Sequence, residues 1–177
     1  MNKTLMAICF SAMALVVAIY PAAASAQGRF QSVTGTEFVH AIPNDFYLEG
    51  NRIPVENRNS ALLKDAKGAR LVVGLIDTTG YSTKIKTKYK GFVISEANIN
   101  FGGVNLGVGS YGLGLDLPGA PGNADGSFKI YNQAGEKLGE GTLKYDEAVK
   151  QPKPLGVSGD KSAHTKLFFG KYVVEIQ

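Results

Sequence analysis

The sequence predicts an all-β fold, a single-domain antiparallel β-sandwich or small barrel, and three observations carry the prediction. Short apolar or alternating runs, rich in β-branched and aromatic residues, follow one another at hairpin spacing. Turn formers, above all the 22 glycines, stand between them. After the first few tens of residues, no stretch sustains the apolar period of a helix beyond a turn or two.

Residues 1–26 read as a secretory signal peptide and stand apart from the fold. Lys3 gives a short positive start, Leu5 to Tyr20 an apolar run, and Ala24-Ser25-Ala26 the small-residue exit that signal peptidase reads. The run is shorter than the roughly 18–20 apolar residues of a spanning helix, so cleavage after Ala26 is expected, with Gln27 leading the mature chain. The single cysteine, Cys9, lies inside the apolar run and not just after it, which argues against a lipid anchor. Cleavage leaves a cysteine-free 151 of the 177 residues, a length for one domain with a real core. Thiol chemistry and cysteine-ligated metal sites drop out with Cys9. Once Lys3 is gone, 18 basic residues face 15 acidic ones, a mild excess that bears on solubility and encounter rates and not on activity.

Residues 27–37 are small and polar and read as a flexible lead-in to a single β domain over 38–177. Phe46-Tyr47-Leu48 and Ile53-Pro54-Val55 form two short strands about a Gly50-Asn51 turn, and Pro54 suits an edge because it lacks a ladder donor. Ala61 to Lys64 reads as a strand, with a helical turn capped by Asn59 or Ser60 as the alternative. Leu71 to Ile76 is continuously apolar and closed by Asp77-Thr78-Thr79-Gly80, the pattern of a buried central strand.

Thr83 to Lys90 alternates strictly and is expected to be a strand, with Ile85, Thr87 and Tyr89 on one face and Lys84, Lys86, Lys88 and Lys90 on the other. The parity flips after Gly91, as at a bulge or tight turn, and Ile99 and Phe101 resume the alternation. Val104-Leu106-Val108 and Tyr111-Leu113-Leu115 alternate about Gly109-Ser110, predicting a tight hairpin, with Asp116 to Gly126 as a surface loop. The strongest hairpin signal joins Phe128 and Ile130 to Leu138 to Leu143 through Asn132-Gln133-Ala134-Gly135, with Gly135 at the left-handed position. Asp146 to His164, broken by Pro152, Pro154, Gly156 and Gly159, is expected to be a long loop. Leu167 to Ile176 reads as a terminal strand kinked at Gly170.

Most motif matches have simpler structural explanations. Gly107 to Gly112 fits G-x-G-x-x-G, but a dinucleotide-binding turn must open a helix whose N-terminus holds the pyrophosphate, and Leu113 to Pro118 cannot open one. His40 and His164 have no second ligand-type residue at close spacing and read as ordinary loop histidines. Asn123, Asp125 and Gly126 with Asp116 offer fewer oxygens than the roughly six that calcium needs, so a turn explains them better. Ser158 lacks the nucleophile-elbow pattern, and Asp146 and Glu147, being adjacent, diverge. Tyr81, Tyr89 and Tyr111, beside turn signals, are the aromatics to inspect for a pocket. The lysine stripe has a definite geometry: Lys84, Lys86, Lys88 and Lys90 form a candidate anion-contact face, set against the ordinary role of lysine in guarding a strand edge.

These features predict an exported, soluble bacterial envelope protein, periplasmic or secreted, acting as a non-catalytic binding or structural module without cofactor, metal or catalytic residues. Its partner would be an envelope protein, a glycan or an anionic surface, not nucleic acid, and the mature chain would not span a membrane. Three alternatives differ in class. An outer-membrane barrel needs about eight strands with an apolar outer face. A carrier of a small apolar ligand needs an enclosed cavity. A hydrolase would assemble from distant residues such as His40, Asp77, Asp160 and His164.

Overall fold

Alternating apolar residues and glycine turns fold this chain into one antiparallel sheet that curls until it nearly closes as a barrel. The computed structural model describes residues 30–118, 124–158 and 164–177; the expected signal peptide, Asn123, Gly159 and Asp160 lie outside them. In chain order the elements are β1 (Gln31–Val33), α1 (Thr36–Ala41), β2 (Asp45–Leu48), β3 (Asn51–Lys64), β4 (Arg70–Ile76), α2 (Thr83–Lys88), β5 (Gly91–Ser95), β6 (Ile99–Phe101), β7 (Val104–Leu106), β8 (Gly109–Asp116), β9 (Gly126–Tyr131), β10 (Lys137–Tyr145), β11 (Lys153–Ser158), β12 (Thr165–Gly170) and β13 (Tyr172–Ile176). The ladder runs β1-β3-β4-β5-β8-β9-β10-β13-β12-β11, and β11 returns against β3 without sharing a ladder with it. At that seam Thr165 Oγ1 donates to the Phe30 carbonyl at 3.1 Å, tying the two ends of the sheet together.

The period-two alternation assigns each strand an inner and an outer face. Ala61, Leu63, Leu71, Val73, Val93, Leu113, Phe128, Ile130, Leu143, Leu167, Phe169 and Val174 point inward and fill the barrel as one apolar cluster. Phe101 and Phe128 meet edge to face there, with ring centroids 5.2 Å apart. Glycine makes room for them: a methyl group at Gly141 would come within 2.6 Å of the Phe128 ring.

A second cluster lies on the outside of β3, β4, β5 and β9. Leu62, Val72, Ile76, Phe92 and Tyr131 face outward and are covered by Ile42, by Phe46, Leu48 and Ile53 of the β2–β3 hairpin, and by Ile85 and Tyr89 of the α2 segment. Phe46 stacks on Phe92 at 4.7 Å, above Gly74, where a methyl group would strike the Phe92 ring at 2.6 Å. The continuous apolar run of β4 thus follows from cover on both faces: Leu71 and Val73 belong to the barrel, Val72 and Ile76 to the outer layer.

Elsewhere the outer face is charged. Glu140 and Lys144 of β10, Lys166 of β12 and Glu175 of β13 point away from the core, with Lys166 and Glu175 paired across strands at 3.8 Å. An apolar interior with a charged exterior reverses the arrangement that an outer-membrane barrel needs. The described interior residues pack against one another as a filled core, unlike the enclosed cavity that a closed carrier needs.

Several local expectations change. Thr83 to Lys90 is not a strand: Ser82 caps a helix, its hydroxyl accepting from the Ile85 N–H at 3.4 Å, and α2 covers Thr83–Lys88. The alternation misleads because Ile85 and Tyr89, four residues apart, share a helical face as readily as a strand face, and both are buried. The lead-in is ordered from Phe30, with β1 paired to β3 and α1 beginning at Thr36.

The β2–β3 turn is Glu49-Gly50, one residue earlier than expected, because Asn51 occupies the strand and its side chain donates to the Leu48 and Glu49 carbonyls. Gly109-Ser110 is no hairpin turn, since Gly109 opens β8. The tight turn is Gly102-Gly103, at φ 55° and 94°, joining β6 to β7. β11 lies within the expected long loop; as the last strand of the ladder, paired only to β12, it tolerates Pro154 and a bulge. Leu167 to Ile176 is a hairpin, β12–β13, turned at Gly170 with φ 67°. The β9–β10 hairpin and its left-handed Gly135, at φ 89°, are as the sequence indicates.

Candidate lysine cleft beside the barrel mouth

Helical winding redistributes the lysine stripe. Lys84 and Lys88, four residues apart, turn toward Glu49, whereas Lys86 and Lys90 lie on another side. Glu49 is held at the β2–β3 turn with φ 47°, a left-handed conformation uncommon for a residue with a side chain. Lys84 Nζ donates to its Oε2 at 2.6 Å, while Lys88 Nζ and the Tyr89 hydroxyl donate to its Oε1 at 2.5 and 2.8 Å. Lys84, Lys88 and Tyr89 together hold the Glu49 carboxyl down at about 2, well below its ordinary 4.5. Burial, reinforced by Glu49, pushes the Tyr89 phenol above its ordinary range.

The same carboxylate reaches the β9–β10 turn. The Glu49 N–H donates to the Gln133 carbonyl at 2.8 Å, and Lys88 Nζ donates to the Gly135 carbonyl at 2.5 Å. A methyl group at Gly135 would collide with the Glu49 carboxylate, so only glycine admits this approach. The Lys88 ammonium also sits 4.8 Å from the Tyr131 ring centroid and 5.1 Å from that of Tyr89. Glu49 therefore clamps α2, the β2–β3 hairpin and the β9–β10 hairpin to one another.

Between α2 and the outer face of β8 and β9 lies a cleft of about 490 Å³. Lys86, Lys88 and Lys90 line one side, and Ser127, Lys129 and Tyr131 of β9 line the other. Gly114 sets its depth: a methyl group there would stand 2.6 Å from the Lys88 carbonyl oxygen and hold α2 off the sheet. Lys90 Nζ donates to the Lys86 carbonyl at 2.8 Å, which fixes the Lys90 side chain along the helix end. Glu49 matches the charge of Lys88, and Asp116 on the rim offsets one more. Two positive charges remain in excess, and among the described residues neither Lys86 nor Lys129 has a carboxylate partner. Such a cleft can hold an anion by charge and by hydroxyl donors from Ser127 and Tyr131.

Three of the four stripe lysines thus line one cleft with Lys129, while Lys84 stands outside it, 70% exposed and paired with Glu49. Glu49, Lys129, Ser127 and Tyr131 carry no local sequence signal for this arrangement, because strand pairing and helix docking bring them together from distant positions. Of the tyrosines marked for inspection, Tyr89 is buried beneath the clamp, Tyr81 donates to the Arg52 carbonyl, and Tyr111 donates to the Gly107 carbonyl at 3.0 Å. His40 lies on α1 and His164 before β12, and neither lines this cleft. Asp77 accepts hydrogen bonds from the Thr79 hydroxyl and N–H, which lower its pKa and shape a turn. Asp125 accepts from Lys144 Nζ at 2.6 Å and the Tyr145 N–H at 3.1 Å, and the described residues contain no cluster of His, Cys, Asp and Glu suited to a metal ion. Within the Gly107 to Gly112 match, Gly112 serves packing: a methyl group there would meet the Tyr89 ring at 2.7 Å. No family model, no curated protein and no solved structure matches the chain.

Proposed function

We propose that this protein is an exported bacterial envelope module, soluble once its leader is cleaved after Ala26, that binds an anionic ligand without catalysing its conversion. The observation that carries this reading is the convergence of Lys86, Lys88 and Lys90 from one segment with Lys129 from another, around a cleft with hydroxyl groups and little opposing charge. An ordinary solvated lysine face has no such concavity and no second element closing it. The all-β scaffold, with no helix among the described residues long and apolar enough to cross a membrane, suits such a role.

Isothermal titration of the chain from Gln27 with inorganic phosphate tests the anion site. Saturable binding that weakens with added salt and falls at least fivefold in Lys86→Ser/Lys129→Ser supports it; heats that never saturate, or that the double variant leaves unchanged, refute it. Export has its own test. N-terminal sequencing of the protein recovered from a bacterial periplasm should begin at Gln27, and a retained Met1 would overturn that part of the reading.

A further inference from the structure

The lysine cleft does not end at β8. It shares Lys90, Leu115 and Asp116 with a second depression of about 600 Å³ at the adjoining mouth of the barrel. There Leu117 is exposed and Leu75 and Leu115 are half-buried, beside Pro154 of the edge strand and above the buried Phe169, with the Glu56 carboxylate at the rim. Leu117 is 38% exposed, one of the few large apolar side chains left uncovered, and it stands at this mouth. A charged basin thus opens onto an apolar one across a common wall.

We propose that the two depressions form one site for a single-chain anionic amphiphile, whose head group sits against Lys86, Lys90 and Lys129 and whose alkyl chain lies over Leu75, Leu115 and Leu117. The proposal rests on the anion-binding reading and adds the chemical class of the ligand. Charge complementarity selects an anionic head, and the apolar floor, which water covers poorly, rewards a chain attached to it. A free anion would use only the lysine basin; a neutral chain would use only the mouth. Asp116, on the shared wall, opposes the head group, so its neutralisation should strengthen binding.

Three probes separate these contributions in titrations below the micellar concentration: inorganic phosphate, dodecyl phosphate, and dodecyl maltoside as an uncharged chain. Dodecyl phosphate is expected to bind at least tenfold more tightly than either of the others. Leu117→Ser should weaken dodecyl phosphate about threefold or more without changing phosphate binding, and Asp116→Asn should tighten dodecyl phosphate. Lys86→Ser/Lys129→Ser should weaken both anions. Phosphate binding without any gain from the chain would overturn the amphiphile proposal and leave the anion site standing. Failure of phosphate and dodecyl phosphate alike would remove both. Tight dodecyl phosphate binding indifferent to both Leu117→Ser and the lysine variant would place the chain elsewhere and equally refute the proposal. Circular dichroism of each variant should match the parent, since all four altered side chains lie at the surface.

Discussion

The barrel interior and the layer outside it are both apolar cores, yet they are secured by different physics. Inside, Phe101, Phe128, Leu113, Leu143 and Leu167 are wholly buried among uncharged neighbours. Outside, Phe46, Leu48, Ile85, Tyr89 and Phe92 pack as tightly, but the pieces that cover them are short: a hairpin and a six-residue helix. A helix of that length has little stability of its own. The Glu49 clamp supplies the missing constraint by joining both covering pieces to the β9–β10 turn. The interior should therefore respond to volume and the outer layer to charge as well.

The largest effect expected from breaking the comparison on the interior side is that of Phe128→Ala. Removing that ring from the centre of the barrel should cost about 3–5 kcal/mol in denaturant unfolding, with the whole domain melting at once. Next comes Gly112→Ala, whose added methyl group has no space between the Tyr89 ring and Leu48. It should cost about 1–3 kcal/mol and shift the resonances of α2 and the β2–β3 hairpin more than those of β12 and β13.

Glu49→Gln tests the clamp itself. It keeps the approximate shape while losing the charge that faces Lys84 and Lys88, at a cost of about 1–2 kcal/mol given that the carboxylate is 15% exposed. The pH dependence has a defined sign. A carboxyl lowered from 4.5 to about 2 stabilises the fold fully above pH 4.5, and that contribution disappears as pH falls toward 2. Amide exchange should show α2 and the β2–β3 hairpin opening in this window before the barrel strands, and Glu49→Gln should remove the pH dependence, leaving the outer layer the easier to open at every pH. Simultaneous opening of both regions would contradict the distinction between them. The smallest effect belongs to Lys129→Ser: with no ion pair among the described residues to lose, it should change stability by less than about 0.5 kcal/mol while weakening anion binding.

The two regions also differed in how far the sequence revealed them. Barrel strands such as β4 and the β9–β10 hairpin were legible because apolar alternation and the Asn132 to Gly135 turn are local signals. In the outer layer the β2–β3 hairpin was legible, one residue off at its turn, but the α2 segment was not. In Thr83 to Lys90 the same residues satisfy both periods: Ile85 and Tyr89 share a face at spacing four, and the Ser82 cap decides for the helix. That choice turns a flat row of four lysines into a clamp, Lys84 and Lys88, and a cleft wall, Lys86 to Lys90. Lys129 and Glu49 join them only through tertiary contacts, which no local pattern encodes. β11 was hidden for a different reason: Pro154 and Gly156 erase its alternation, and only its edge position makes them tolerable.

The central claim is that the lysines of α2 and β9 form one anion site, and a residue-resolved titration tests it most directly. Amide and side-chain resonances of the chain from Gln27 would be followed by NMR as inorganic phosphate is added at constant ionic strength. The account predicts saturable shifts with a single affinity at Lys86, Lys90, Gly114, Ser127 and Lys129, with Lys144 and Lys166, which line neither depression, unmoved. Linear, unsaturated shifts spread over all lysines would contradict it.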